Sequence, residues 1–319
     1  MFSWSRERKR SFDLAKKASQ AIYGQSAGMV ILRVSKSANS IRYHVTSNDS
    51  HSGDLLIKLI RRPLVEGHLG PQMTSRPSVS RRFQQEFRTL APPWLCIPEV
   101  LYSDDSAGVL GMEYVDGINF KSILSRPEPP ANFDLAHVGE LAGRALAVWH
   151  SYLNFREKPE SMGTRRGDDR VISFLDYSVW NIRIRSDMRN LALLDFPGAE
   201  VMELAHRDLA SFLHSLLVVK HHPIARLGGS GWWNWREAYS AFLRGYSSES
   251  GLALTTRDFG LIANYLVSAI RRESRQYRRL IVHPRKAFEG VWYSLLKKHP
   301  ALDPRALSDV YSGARGRSG

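Results

Sequence analysis

The pattern of apolar and polar positions changes once along the chain. Up to residue 116 it runs in short apolar or alternating stretches, and beyond Gly117 it takes a helical period. GMVILRV (28–34) and SIRYHVTS (40–47) are β-branched runs separated by the polar SKSAN, the arrangement of a hairpin. DLLIKLI (54–60) predicts a third strand. The Gly/Pro/Ser-rich HLGPQMTSRPSVS after it predicts a loop, and RRFQQEFRTLA (81–91) a helix. PEVLYSD and GVLGMEYV (108–115) complete a small sheet. FDLAHVGELAGRALAVWHSYL (133–153) then predicts a long amphipathic helix. WREAYSAFLRGYS, FGLIANYLVSAIRRESRQY and KAFEGVWYSLLKKH make the remainder mostly helical. The expected fold class is α+β in two lobes, a small β-rich N-lobe and a larger helical C-lobe, joined near Met112–Gly117. The expected division is a basic N-terminal arm or helix over 1–25, the N-lobe over 26–116, the C-lobe over 117–311 and a disordered tail over 312–319.

Composition narrows the setting. A single cysteine, Cys96, excludes an internal disulfide framework and any cysteine-rich zinc site, which fits a reducing cytoplasm. No apolar run approaches the length of a bilayer span, and the basic MFSWSRERKRSF lacks the apolar stretch of a secretory signal. The net charge of +14 is unevenly spread. Residues 1–20 hold six Lys/Arg against two acids, and residues 271–319 hold twelve against four. Basic ends favour anionic surfaces such as phosphorylated glycan, acidic lipid or nucleic acid, although solvated helix faces account for them equally well. The N-terminal segment, with Phe2, Trp4, Phe12, Leu14 and Ile22 scattered among basic residues, is compatible with an interfacial helix of poor apolar stripe or with a flexible basic arm packing on the small lobe.

The chemistry concentrates in FLDYSVWNIRI (174–184) and, from residue 191, LALLDFPGA. Phosphoryl transfer from ATP needs a carboxylate to orient the attacking hydroxyl and take its proton. It also needs an amide oxygen and a second carboxylate to hold Mg²⁺, and a cation on the phosphates. Asp176, Asn181 and Asp195 supply the first three in that order, Asp176 as catalytic base and Asn181 and Asp195 as metal ligands. Asp-x4-Asn spacing fits a tight loop that turns both side chains toward one point, with IRI and LALLDF forming a hairpin behind it.

These segments resemble the catalytic loop and metal motif of the aminoglycoside phosphotransferase and choline kinase-like family, a branch of the protein-kinase-like superfamily. In that family the loop usually runs His-Gly-Asp-x4-Asn and the metal motif Ile-Asp-Phe/Trp-Glu-x-Ala. Here Phe174 stands for the histidine, Leu175 for the glycine and Pro197 for the acid. The resemblance implies a protein-kinase-like two-lobe fold, ATP and Mg²⁺ as cofactors, and further site residues. Lys58, in LLIKLI, matches the lysine on the α/β-phosphates. It needs an acidic partner, for which Glu86 on the following helix is the first candidate and Glu66 a weaker one. Met112, Glu113 and Val115 lie in MEYVDG, which resembles the hinge against the adenine. SKSANS stands where the phosphate-covering loop belongs, without its glycines.

Three features are expected to be structural. His206-Arg207-Asp208 spells the protein-kinase tripeptide, but it follows the metal motif and has Leu213 where an asparagine would be needed. The resemblance makes its Asp208 a brace for the catalytic loop. His150 is expected to be a packed or surface residue, and WWNW (232–235) a packing cluster.

The leading functional reading is an ATP-dependent phosphotransferase acting on a hydroxyl of a small-molecule, sugar or glycolipid acceptor. Its location would be cytoplasmic or peripheral at the inner membrane surface. A basic C-terminal end repels polycationic antibiotics and suits an anionic acceptor, such as a phosphorylated glycolipid. Nucleic acid is not the expected partner. Two alternatives remain at this stage. One is an atypical protein kinase, weakened by the absence of Ala-Pro-Glu and by the nine residues between Phe196 and His206. The other is a nucleotide-binding pseudokinase that scaffolds a polyanionic partner.

Overall fold

A computed structural model describes residues 2–24, 28–36, 40–47, 53–60, 76–157, 170–221, 232–279 and 296–315. The chain divides into two compact units. The first comprises Met1–Pro92, Cys96–Asp116 and Leu193–Glu200; the second comprises Pro93–Leu95, Gly117–Ala192 and Val201–Gly319. The first unit thus includes a segment that follows the Asp-x4-Asn loop in sequence.

The first unit is built on α1 (Phe2–Tyr23), β1 (Met29–Lys36), β2 (Ser40–Ser47), β3 (Leu55–Ile60), α2 (Pro77–Leu90) and, beyond the two-residue β4 (Leu95–Cys96), β5 (Val100–Asp104) and β6 (Val109–Glu113). Its sheet is antiparallel in the order β1-β2-β3-β6-β5. The period of two in β2 decides the faces. Ile41, Tyr43 and Val45 are buried with Leu55, Ile57 and Leu59 from β3, and Ala15 and Ala18 of α1 close this core. Arg42 and Lys58, directly paired across β2 and β3, lie on the opposite face. α1 is a helix, and it packs by small residues: Ser11, Ala15, Ala18 and Ser19 are buried, and Ser11 Oγ hydrogen-bonds Tyr43 Oη at 2.8 Å. The stripe looks weak by hydrophobicity because small side chains bring the helix close to the sheet.

α2 starts at Pro77, four residues before the start predicted from sequence. Proline is favourable at a helix's first position, and the Ser78 N–H is met by Asp105 Oδ1 at 2.7 Å. That cap comes from a distant turn and leaves no local signature.

The second unit contains β7 (Ile118–Asn119), α3 (Phe120–Leu124), α4 (Leu135–Glu157), β8 (Arg170–Ile172), β9 (Ile182–Ile184), β10 (Leu191–Leu193), whose last residue belongs to the first unit, and β11 (Met202–Leu204). The helices α5 (His206–His221), α6 (Trp235–Ser250), α7 (Thr256–Arg279) and α8 (Pro304–Arg315) follow. α4 begins after Asp134, whose Oδ1 accepts from the N–H groups of Ala136 and His137. α6 is capped by Asn234 and stops at the left-handed Gly251. β9 and β10 pair as the hairpin expected behind the Asp-x4-Asn loop. The expectation of a disordered tail from residue 312 is corrected, because α8 continues to Arg315; its face is anchored by Leu307 and Tyr311, both buried. Trp233 and Trp235 are buried, and Trp233 Nε1 donates to the Leu124 carbonyl at 2.8 Å, so WWNW serves packing. Most of KAFEGVWYSLLKKH lies outside the described residues. Among the described residues no helix is long and apolar enough to cross a membrane.

α4 and α6 cross at glycine contacts. A Cβ on Gly143 would overlap the Phe242 carbonyl oxygen and stand 2.7 Å from the Tyr246 nitrogen, both backbone atoms that cannot move aside alone. Gly143→Ala is expected to lower stability by about 1–3 kcal/mol, the usual cost of overpacking, read by thermal or denaturant unfolding. An unchanged transition would mean that the helices separate at no cost.

Candidate functional site

The second unit carries the Asp-x4-Asn loop. β8 delivers the chain to Ser173, whose N–H donates to the Val201 carbonyl at 2.9 Å. Phe174 is buried, edge-on to Trp149 at 5.4 Å and to Tyr177 at 5.3 Å, so its ring is part of the core under the loop. Tyr177 is buried and donates to the Ala142 carbonyl at 2.6 Å. With Phe174 and Tyr177 pinned inward, Asp176 between them is left on the exposed side. Asn181 then folds back. Its Nδ2 donates to the Asp176 carbonyl at 2.9 Å and to Asp176 Oδ2 at 3.1 Å. The structure therefore brings Asp176 and Asn181 together. Since Nδ2 is engaged, Oδ1 is the atom Asn181 has to offer a cation.

Asp208, fully buried at the start of α5, holds this loop. Its Oδ2 accepts from the Phe174 N–H at 2.7 Å and its Oδ1 from the Leu175 N–H at 3.1 Å and Ser173 Oγ at 2.9 Å. His150 Nε2 lies 3.0 Å from Oδ2, and Tyr246 Oη lies 3.0 Å from His150 Nδ1. His150 is thus a buried spacer in the brace. The other two members of the tripeptide are structural as well: His206 pairs with Asp258 at 2.7 Å and Arg207 with Glu203 at 3.0 Å.

Turning both the 174 and 175 amides toward one carboxylate requires a left-handed residue, and Leu175 has φ +68°. A glycine adopts this without strain, whereas an L side chain costs about 1–2 kcal/mol. Leu175→Gly is therefore expected to be more stable than Leu175→Ala by about 1 kcal/mol, reversing the ordinary ranking of these residues. Thermal unfolding of the two variants checks this; the ordinary order would show that the brace does not impose the conformation.

The first unit carries the second cluster. Lys58 Nζ donates to Asp195 Oδ1 at 2.9 Å, and Arg42 pairs with Asp195 Oδ2. The acidic partner that Lys58 reaches is Asp195, in place of Glu86. Glu86 lies half-buried on α2, whose Phe83 and Phe87 fill the core. The cause is geometric: Asp195, with φ +58°, presents its carboxylate to the face shared by Arg42 and Lys58. Burial alone would raise the Asp195 carboxyl, but Lys58 and Arg42 outweigh it and hold the group below the ordinary carboxylate value, ionised at neutral pH. The rest of the motif is fixed by α2: Ser80 Oγ donates to the Phe196 carbonyl at 3.0 Å, and the Gly198 carbonyl accepts from the Arg76 N–H at 3.0 Å. Phe196 packs 5.8 Å from Phe87.

The hinge residues fall at the end of β6. Met112 is a core residue, packed with Val100 and Leu110, and Val115 is also buried. The N–H groups of Glu113 and Tyr114 already donate to the carbonyls of Glu99 and Asp54, both at 2.9 Å, so neither is a donor to a base. Glu66 and residues 37–39 of SKSANS lie outside the described residues. Arg42 was not anticipated. The alternation in SIRYHVTS places it on the Lys58 face, and only the cross-strand register reveals that the two are adjacent.

No protein-family model and no curated protein matches the sequence. Solved structures do match in fold. Plasmodium vivax ethanolamine kinase is similar over 93% of this chain and 89% of its own, with 12% identity and a TM-score of 0.52. A Ralstonia eutropha JMP134 protein, provisionally described as an aminoglycoside phosphotransferase, covers 96% and 97% at 12% identity and a TM-score of 0.49. The GDP and kanamycin complex of APH(2")-IIia covers 95% and 98% at 10% identity and a TM-score of 0.49. The ethanolamine kinase likeness shows the fold, a protein-kinase-like α+β arrangement of a small antiparallel sheet unit and a helical unit. The chain is a divergent example of it.

Asn181 Oδ1 in the second unit and the Asp195 carboxylate in the first are each a hard oxygen donor, the kind that Mg²⁺ takes. Among the described residues no three His, Cys, Asp or Glu side chains gather as a metal cage.

Proposed function

We propose that the chain is an ATP-dependent phosphotransferase that moves the γ-phosphoryl group to a hydroxyl of a small-molecule, sugar or glycolipid acceptor. The observation that carries this reading is the organised Asp176–Asn181 pair, held from below by Asp208. Packing alone does not call for an exposed carboxylate at Asp176 paired with the buried amide of Asn181. In this reading Asp176 orients the acceptor hydroxyl and receives its proton, and Lys58 steadies the phosphates. Asn181 and Asp195 would hold Mg²⁺, which supplies charge neutralisation on the phosphates. Met112, Glu113 and Val115 would border the base.

An anionic acceptor is favoured by charge. The 49 residues from Arg271 carry twelve Lys/Arg against four acids, which disfavours polycationic antibiotics and small cations such as ethanolamine and favours phosphorylated glycans. The basic ends would also support contact with an anionic membrane surface from the cytoplasmic side.

The test is phosphate transfer from γ-labelled ATP with magnesium to a panel of sugars, sugar phosphates and glycolipids, by wild type and Asp195→Ala. Transfer by the wild type that the variant loses is expected. Identical background hydrolysis by both, across the panel, would remove the enzyme reading.

A further inference from the structure

Asp195 is held by two cations, Lys58 and Arg42. Lys58 is the less exposed, with 17% of its side chain accessible against 34% for Arg42. Both emerge from one face of the sheet at paired positions of β2 and β3. The Arg42 contact is incomplete. One terminal nitrogen reaches Asp195 Oδ2, while Nε is buried and meets no hydrogen-bond partner among the described residues. A buried guanidinium N–H without an acceptor is uncommon. A guanidinium presents its donors as a fork that matches two oxygens of one phosphate, a geometry a single carboxylate oxygen does not satisfy.

The charge balance points the same way. Two cations and one carboxylate leave the cluster with excess positive charge. A bare divalent cation approaching Asp195 would add to that excess and would have to displace two existing partners. A polyphosphate reverses the sign, because it gives Lys58 and Arg42 new anions as it arrives and frees Asp195.

We infer that Arg42 is a second phosphate-binding residue, whose guanidinium passes from Asp195 to the polyphosphate of a bound nucleotide, so that Asp195 accepts a divalent cation only together with phosphate. This rests on the phosphotransferase reading and adds to it a residue and an order of binding. The chain can bind metal-free ATP, but it does not load metal first.

Binding rather than turnover tests this, using the full chain as wild type, Arg42→Gln and Arg42→Lys. ATP and adenosine are titrated calorimetrically without metal, and Mn²⁺ is titrated without nucleotide by its electron paramagnetic resonance signal. Arg42→Gln is expected to weaken ATP about tenfold or more, the scale of a lost charge-assisted bidentate contact. Its adenosine affinity should be unchanged. Arg42→Lys, which keeps the charge without the fork, should fall between, and serves if the glutamine variant is poorly folded by circular dichroism. Arg42→Gln should also bind Mn²⁺ alone more tightly than the wild type. ATP affinity unchanged in Arg42→Gln, or adenosine lost in step with ATP, overturns the assignment of Arg42, and Mn²⁺ affinity that does not rise overturns the order of binding. A wild type that binds neither ATP nor adenosine overturns the phosphotransferase reading itself, a result distinct from either.

Discussion

Asp176→Asn is expected to slow phosphotransfer by about 10²–10⁴-fold, the range for loss of a positioned general base, with ATP binding and fold stability retained. Asp176 is exposed, so its replacement removes no buried packing. Asparagine keeps an oxygen that can accept from Asn181 Nδ2, so the contact at 3.1 Å survives in kind. What it lacks is the basicity to take a proton from the acceptor hydroxyl. Single-turnover transfer to an accepted substrate, measured beside ATP affinity and the unfolding midpoint, separates these effects. A variant as fast as the wild type would assign proton removal elsewhere. One that unfolds early would make Asp176 a structural residue.

Asp208→Ala is expected to cost about 3–5 kcal/mol of stability, the scale seen when one member of a buried charged network is removed. Four groups converge on this carboxylate: the N–H of Phe174, the N–H of Leu175, Ser173 Oγ and His150 Nε2. The Leu175 N–H keeps a second acceptor in Ser173 Oγ at 3.1 Å, but the Phe174 N–H and Ser173 Oγ lose this one, and each buried donor left without an acceptor costs roughly 1–3 kcal/mol. Asparagine does not repair the site. Whichever way its amide is turned, the NH₂ faces either the Phe174 or the Leu175 backbone N–H, donor against donor. Both variants should therefore unfold earlier than wild type, and Asp208→Asn should not recover the alanine loss in full. Denaturant unfolding measures this. A loss below about 1 kcal/mol would place the residue outside the loop's support.

The legible part of this protein lay in local periodicity. The alternation in SIRYHVTS and LLIKLI is enough to assign strands and to separate Arg42 and Lys58 from the core residues between them. The 3.6-residue period after Gly117 assigns the helices. Asp-x4-Asn was legible as a loop because its two side chains interact five residues apart. The order and spacing of the displaced HRD exclude a catalytic loop, and the family resemblance is what implied the brace role of Asp208. Where small residues take the place of large apolar ones, as in α1, the same periodicity is faint. The start of α2 was missed because its cap is Asp105, 27 residues from Ser78.

By itself the sequence determined on which kind of element, and on which face of it, residues such as Arg42 and Lys58 would stand, since burial faces follow from repeat length. Only the tertiary structure decided their partners. Lys58 meets Asp195 across 137 residues and Arg42 meets it across 153, through strand register and the left-handed turn at Asp195. Leu175 takes glycine's conformation because a carboxylate 33 residues away draws its amide inward. Such pairs depend on how separated segments close on one another in space, and no local period records that.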